Sequence, residues 1–182
     1  MIEMRFHGRG GQGAVTSAEL VAQAAIDTGK YATAFPSFGP ERRGAPVVAF
    51  ARVADEPIRV RAKVYSPDVV IVLDPTLVQI ANPAQGLKSD GVLVINSSHD
   101  ADTLRRDLGY QGKIALVDAS RIAREVIGLP ITNTTMVGAL VKATNMLSLE
   151  SLEGPFNRRF GKIAPRNLAA MKRAWEEATV IG

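Results

Sequence analysis

At 182 residues, with 46% hydrophobic and 22% charged side chains, the chain has the size and make-up of one globular domain able to bury a core. Its 22 basic and 18 acidic residues leave a net charge of +4, which suits an anionic cofactor or an acidic partner without demanding nucleic acid. Cysteine is absent and the only histidines are His7 and His99, which excludes disulfides, thiolate nucleophiles and cysteine-ligated iron–sulfur clusters on this chain and argues against a histidine-rich metal site.

Residues 2–6 alternate apolar and polar and read as a strand. His7-Gly8-Arg9-Gly10-Gly11-Gln12-Gly13-Ala14 follows, and then a helix-period segment with Ala14, Ala18, Val21, Ala22 and Ala25 on one face. Gly8, Gly10 and Gly13 fit the strand–G-x-G-x-x-G–helix pattern, in which glycines allow a tight turn and a close approach of phosphate to backbone. The free N–H groups and dipole of the helix start would favour an anion there. The bland alternative is a close-packed turn that binds nothing. Glu3 and Arg5 interrupt the beginning before a signal-like apolar core can form, and no apolar run is bilayer-length, so a cytoplasmic protein with no membrane contact is expected.

Gly29 stands where a left-handed helix cap is wanted, and residues 31–35 should form a strand completing a βαβ unit. A nicotinamide-binding unit would end that strand on Asp or Glu to hold the ribose; here Phe35-Pro36-Ser37 stands instead. The loop over 35–46 carries three prolines, two glycines and the charges Glu41, Arg42 and Arg43. Arginine can hold phosphate or carboxylate through paired hydrogen bonds, and the loop is more apolar than solubility requires, so it is expected to face a ligand or another subunit. Residues 47–53 and the alternating 58–61 read as an antiparallel hairpin around Asp55-Glu56-Pro57, with Arg52, Arg59 and Arg61 on its wet side.

Three unbroken apolar runs, 69–73, 92–95 and 114–117, are expected to be parallel strands buried on both faces. They end in Asp74-Pro75, Asn96-Ser97-Ser98 and Asp118, where helix capping is the expected role of the aspartates rather than catalysis. Helices are predicted over 121–127, stopped by Gly128, over 136–147 after the capping run Thr132-Asn133-Thr134, and over 165–179 with Leu168, Met171 and Trp175 on one stripe. The fold class is therefore α/β: a single Rossmann-like domain over 1–182, a mostly parallel sheet flanked by helices, with an antiparallel β-hairpin inserted around 47–61. No general acid–base pair, nucleophile or metal-ligand set emerges.

Taken in this order, Gly8-Arg9-Gly10-Gly11-Gln12-Gly13, then 35–44 with its Gly39-Pro40-Glu41-Arg42-Arg43-Gly44, then Asn133-Thr134-Thr135-Met136-Val137-Gly138-Ala139-Leu140, and Leu149-Glu150-Ser151-Leu152-Glu153, the chain resembles the gamma subunit of the 2-oxoacid:ferredoxin oxidoreductases. Gly44-Ala45-Pro46 looks most like the pyruvate (pyruvate synthase) branch. The resemblance implies coenzyme A-dependent oxidative decarboxylation of a 2-oxoacid to acyl-CoA and carbon dioxide with reduction of ferredoxin. It implies thiamine diphosphate between alpha and beta subunits and iron–sulfur clusters on delta or beta, none of them on this chain. In that setting the turn, Gly8 to Gly13, and the loop residues Glu41, Arg42 and Arg43 would receive coenzyme A, with Arg9 touching phosphate and Gln12 orienting it; the rival is that both loops only grip neighbouring subunits. Two readings from other classes are a stand-alone NAD(P)-dependent dehydrogenase, against which the missing ribose acid counts, and a non-catalytic nucleotide- or nucleic-acid-binding module, against which the small charge excess and 5% aromatic content count.

Overall fold

The computed structural model describes residues 1–37 and 43–182. In chain order it has β1 (Ile2–Arg9), α1 (Ala14–Asp27), β2 (Tyr31–Pro36), β3 (Pro46–Ala54), β4 (Val69–Val72), α2 (Leu77–Ala81), β5 (Val92–Asn96), α3 (Ala101–Leu108), β6 (Lys113–Val117), α4 (Ala119–Val126), α5 (Asn133–Thr144), α6 (Glu153–Phe160), α7 (Ala164–Glu177) and β7 (Thr179–Ile181). The strands form one sheet in the order β2-β3-β1-β4-β5-β6-β7. β1, β4, β5 and β6 pair in parallel, while β3 and β7 run against their neighbours, so five of the seven strands point one way. The expected α/β class with a mostly parallel, helix-flanked sheet is the fold observed.

The antiparallel hairpin is differently composed from the one read at 47–61. β3 pairs with β2 on one side and with β1 on the other, and residues 58–61 form no strand. A strand has two hydrogen-bonding edges, and both edges of β3 are taken by β1 and β2, so the alternation Ile58-Arg59-Val60-Arg61 cannot pair with it as a hairpin. β2 runs parallel to β1 as a βαβ unit would have it, with β3 inserted between them. Arg52 is correspondingly no part of a wet stripe. It is 1% exposed, donates from Nε to Glu3 Oε1 at 2.7 Å and to the Ala62 carbonyl at 2.6 Å, and stacks over the Phe35 ring. The segment around 60–62 therefore crosses the sheet face instead of extending it.

The sheet's alternation splits the interior. Met4, Phe6, Ala49, Ala51, Ile71, Val94 and Ala115 face one side and pack with α1, α5, α7 and Phe156 of α6. Val70, Val72, Leu93, Ile95 and Ile114 face the other and pack with Leu77 of α2 and Leu104 and Leu108 of α3. α5 is buried almost all round, and its Gly138 lies so close to α7 that an added Cβ would sit 1.9 Å from the Met171 carbonyl oxygen. The small residues of this helix serve that contact. The final short strand, β7, escaped the sequence because three residues carry no readable period.

Candidate functional site: the glycine turn at the strand-order reversal

Helix α1, which follows β1, covers one face of the sheet, and α2, which follows the adjacent parallel strand β4, covers the other. Chain connections thus part in opposite directions between the carboxyl ends of β1 and β4, leaving a crevice of the kind where open α/β sheets bind ligands. The glycine turn sits on it. Gly11 and Gly13 have φ of +93° and +83°, a region that side-chain-bearing residues rarely adopt. Gly8 is packed against Leu73, where a Cβ would lie 3.2 Å from its Cδ1.

The first intrahelical bond of α1 runs from the Ser17 N–H to the Gly13 carbonyl at 2.9 Å, and no side chain among the described residues caps this end. The N–H groups of Ala14, Val15 and Thr16 precede it and are left at the crevice with the positive end of the helix dipole.

Arg9 and Gln12 hold this turn in shape. Gln12 Oε1 accepts from the Arg9 N–H at 2.7 Å, and its Nε2 donates to Asp74 Oδ2 at 2.7 Å. Arg9 places Nε 3.2 Å from the same Asp74 oxygen, donates from NH1 to the Gly44 carbonyl at 3.0 Å and from NH2 to Thr76 Oγ1 at 2.7 Å. Burial alone would raise the Asp74 carboxyl, but the hydrogen bonds from Thr76 and Gln12 and the Arg9 charge outweigh it and hold it below the usual carboxylate range. Asp74 therefore stays ionised and, instead of capping α2, ties β4 to the turn; its Oδ1 accepts from the Thr76 N–H in a local Asx turn. Asp118 does cap α4, accepting from the Arg121 N–H at 2.9 Å.

The two unusual stretches of the sequence meet here. Gly10 donates to the Ala45 carbonyl at 2.8 Å and accepts from the Gly44 N–H at 3.1 Å, and a parallel bridge sets Arg43 beside it. Arg43 is exposed at this edge. Glu41 and Arg42 lie outside the described residues. The third region arrives through the buried start of α5: a Cβ on Gly13 would lie 2.5 Å from Asn133 Nδ2, Asn133 Oδ1 accepts from the Thr134 N–H, and the Asn133 carbonyl accepts from Ser17 Oγ. Sequence reasoning assigned Asn133 and Asp74 to capping and missed both roles at the turn. The usable signal was Asp74 at the end of the buried run 69–73, but its neighbourhood depends on β4 lying next to β1. His7, at the head of the motif, faces the opposite side of the sheet.

The chain is a doubly wound α/β domain whose glycine turn, bridged to Arg43, sits at its strand-order reversal. The profile of the family described as pyruvate ferredoxin/flavodoxin oxidoreductase matches residues 3–177. The chain is 51% identical over 178 residues to the pyruvate synthase subunit PorC of Methanothermobacter thermautotrophicus, covering 97% of this chain and 96% of that one. It is 48% identical over 182 residues to the pyruvate/ketoisovalerate oxidoreductases common subunit gamma of Thermococcus kodakarensis, covering 99% and 98%. The crystal structure of the pyruvate oxidoreductase subunit PORC from Thermotoga maritima superposes with a TM-score of 0.90 at 40% identity, over 100% of this chain and 98% of that one. The chain belongs to the pyruvate ferredoxin/flavodoxin oxidoreductase family, as the gamma subunit of a multi-subunit 2-oxoacid:ferredoxin oxidoreductase. The dehydrogenase and nucleotide-module readings are not favoured.

Proposed function

We propose that this gamma subunit works in a cytoplasmic pyruvate-type complex with alpha, beta and cluster-bearing delta subunits, and that its glycine turn receives a phosphate of coenzyme A. The observation that carries the reading is the crevice itself: α1 opens there with no side-chain cap among the described residues, Gly11 has open space where a Cβ would be, and the exposed Arg43 is bridged to Gly10. These donors suit a phosphate, and the Asp74 carboxylate beside them is already balanced by Arg9. In this scheme Gly10, Gly11, Gln12 and Gly13 form the cradle, Arg9 holds the cradle and offers its remaining N–H groups, and Arg43 stands at its edge, with Glu41 and Arg42 just before it in the sequence as further candidates. Thiamine diphosphate and the iron–sulfur clusters belong on the partner subunits, since a chain without cysteine cannot ligate such clusters through thiolates. Ferredoxin is met through the complex. No role toward nucleic acid is assigned, and among the described residues no helix is long and apolar enough to cross a membrane.

The T. kodakarensis relative is named as common to pyruvate and ketoisovalerate oxidoreductases, which supports a subunit that serves the coenzyme rather than choosing the 2-oxoacid. The test is the coenzyme A dependence of dye reduction by pyruvate in purified complexes bearing Arg43→Ala or Arg42→Ala. Loss of a charge-assisted contact worth about 1.5 kcal/mol raises the KM for coenzyme A roughly tenfold while the subunits still co-purify. An unchanged KM in an intact complex removes the coenzyme role and leaves these loops as grips on neighbouring subunits.

A further inference from the structure

On the sheet face opposite α1, β1 and β3 are covered by chain rather than by a helix, and a cavity of about 440 Å³ opens there. Arg5 and His7 of β1 line it, together with Val48 and Phe50 of β3 and with Lys63 and Val64. Arg5 is half-buried and fixed: Nε donates to His7 Nε2 at 2.9 Å, and NH2 donates to the Pro83 and Gln85 carbonyls. Those three acceptors are uncharged, and among the described residues no carboxylate forms an ion pair with Arg5 or with Lys63. Among the described residues no Asp or Glu lines the cavity. An arginine half taken out of water without a carboxylate beside it is costly, and the exposed Lys63 on the same cavity adds positive charge rather than relieving it.

His7 supplies a third donor. It is 7% exposed, and with Nε2 accepting from Arg5 its proton is on Nδ1. Nδ1 has no hydrogen-bond partner among the described residues. Burial first, and the Arg5 charge second, push its pKa down to about 3, so the imidazole is a neutral donor at physiological pH. The polar groups presented to the cavity by Arg5, His7 and Lys63 are thus donors, two of them cationic. The space is far larger than the roughly 30 Å³ that one water occupies, and Val48, Phe50 and Val64 make part of its wall apolar.

We propose that this cavity binds the oxyanion of a small molecule, a phosphate or carboxylate carried on an apolar portion, with Arg5, Lys63 and His7 Nδ1 as its donors. The oxyanion has two possible sources: a phosphate of the coenzyme itself, or a separate organic acid or phosphate ester. The site does not depend on the glycine turn, which serves the other side of β1.

The test titrates inorganic phosphate into the isotope-labelled full-length chain while the His7 imidazole resonances are followed. One saturable site that moves the Nδ1 signal is expected. Lys63→Ala, an exposed position whose loss does not threaten the fold, weakens that site at least tenfold, whereas Arg43→Ala at the glycine turn leaves it unchanged. Adding coenzyme A then separates the sources: displacement of phosphate from the His7 signal assigns the oxyanion to the coenzyme, and simultaneous occupancy assigns it to a separate molecule. Absence of saturable binding overturns the site. So does binding that leaves the His7 signal in place and is indifferent to Lys63→Ala.

Discussion

Gly138→Ala is a sharp test of how α5 is seated, because two effects of opposite sign compete in one methyl group. In an isolated helix the change stabilises by about 1 kcal/mol. Here the new Cβ would lie 1.9 Å from the Met171 carbonyl oxygen, 2.9 Å from its carbon and 3.1 Å from the Trp175 nitrogen, all backbone atoms that no rotamer change can move. Restoring ordinary contact, at about 3.4 Å, parts α5 from α7 by roughly 1.5 Å. A gap of that order forfeits about a third or more of the dispersion energy across the seam. A buried leucine-sized side chain makes about 50 contacts of about 0.15 kcal/mol each, so two such side chains lose roughly 5 kcal/mol before relaxation. The seam includes Leu140, Met171 and Ala174, all buried. Offset by the helix gain, the net loss is about 3–4 kcal/mol, which for a chain of this length lowers Tm by roughly 10 °C. Thermal denaturation of the full chain followed by circular dichroism reads this directly. Gly154→Ala in α6 is the control, since its Cβ would meet the tip of Arg158 at 3.2 Å and the Asp27 carboxylate at 3.6 Å, ends of side chains that can shift, and should leave Tm nearly level. A Gly138→Ala variant as stable as the parent refutes the close crossing of α5 and α7.

Gly13→Ala and Gly11→Ala impose the same left-handed strain of about 1–2 kcal/mol, but only Gly13 also meets a neighbour, Asn133, so its urea midpoint should fall further; equal midpoints would mean that α5 does not back the turn. His7 is held neutral in the fold with its pKa lowered from 6.5 to about 3, so the unfolded chain binds the extra proton between those values. Stability accordingly rises with pH across that window at up to about 1.4 kcal/mol per unit, and it is lost as acid is added. His7→Gln should flatten the stability curve between about pH 5.5 and 6.5, where an unfolded histidine titrates and ordinary carboxylates are already almost fully ionised, and an unaltered slope there would contradict the burial of the imidazole. Arg52→Met conserves volume but leaves the Ala62 carbonyl without its donor, so trypsin should cut at Arg59, Arg61 or Lys63 at least several-fold faster in an otherwise folded chain; an unchanged cleavage rate would show that Arg52 does not pin this segment.

Much of the architecture was readable from local chemistry. The apolar runs at 69–73, 92–95 and 114–117 are long enough to bury both faces of a strand, and that environment exists only inside a helix-covered parallel sheet. Gly29 and Gly128 take positive φ just beyond helix ends, as glycine cap positions should. The hairpin was misassembled because period-two alternation reports which residues share a face and says nothing of which strand edge is vacant. Arg52 illustrates the same gap. A strand arginine reads as solvated until Glu3 of the neighbouring β1 supplies a carboxylate and a returning segment, itself without secondary structure, supplies the carbonyl that lets it be buried.

The sequence by itself determined the parts list: a glycine turn between a strand and a helix, an arginine-bearing loop after the second strand, buried parallel strands ending in polar groups, and no thiol for cluster chemistry. Those features follow from each residue's own conformational freedom, charge and period, so they survive without knowledge of neighbours. Tertiary structure alone decided that Arg9 would be balanced by Asp74 from 65 positions away along the chain, that Asn133 would back Gly13, and that Arg5, His7 and Lys63 would share one cavity. The reason is that charge compensation and donor–acceptor pairing are properties of distance in space, and strand order, not sequence spacing, sets that distance.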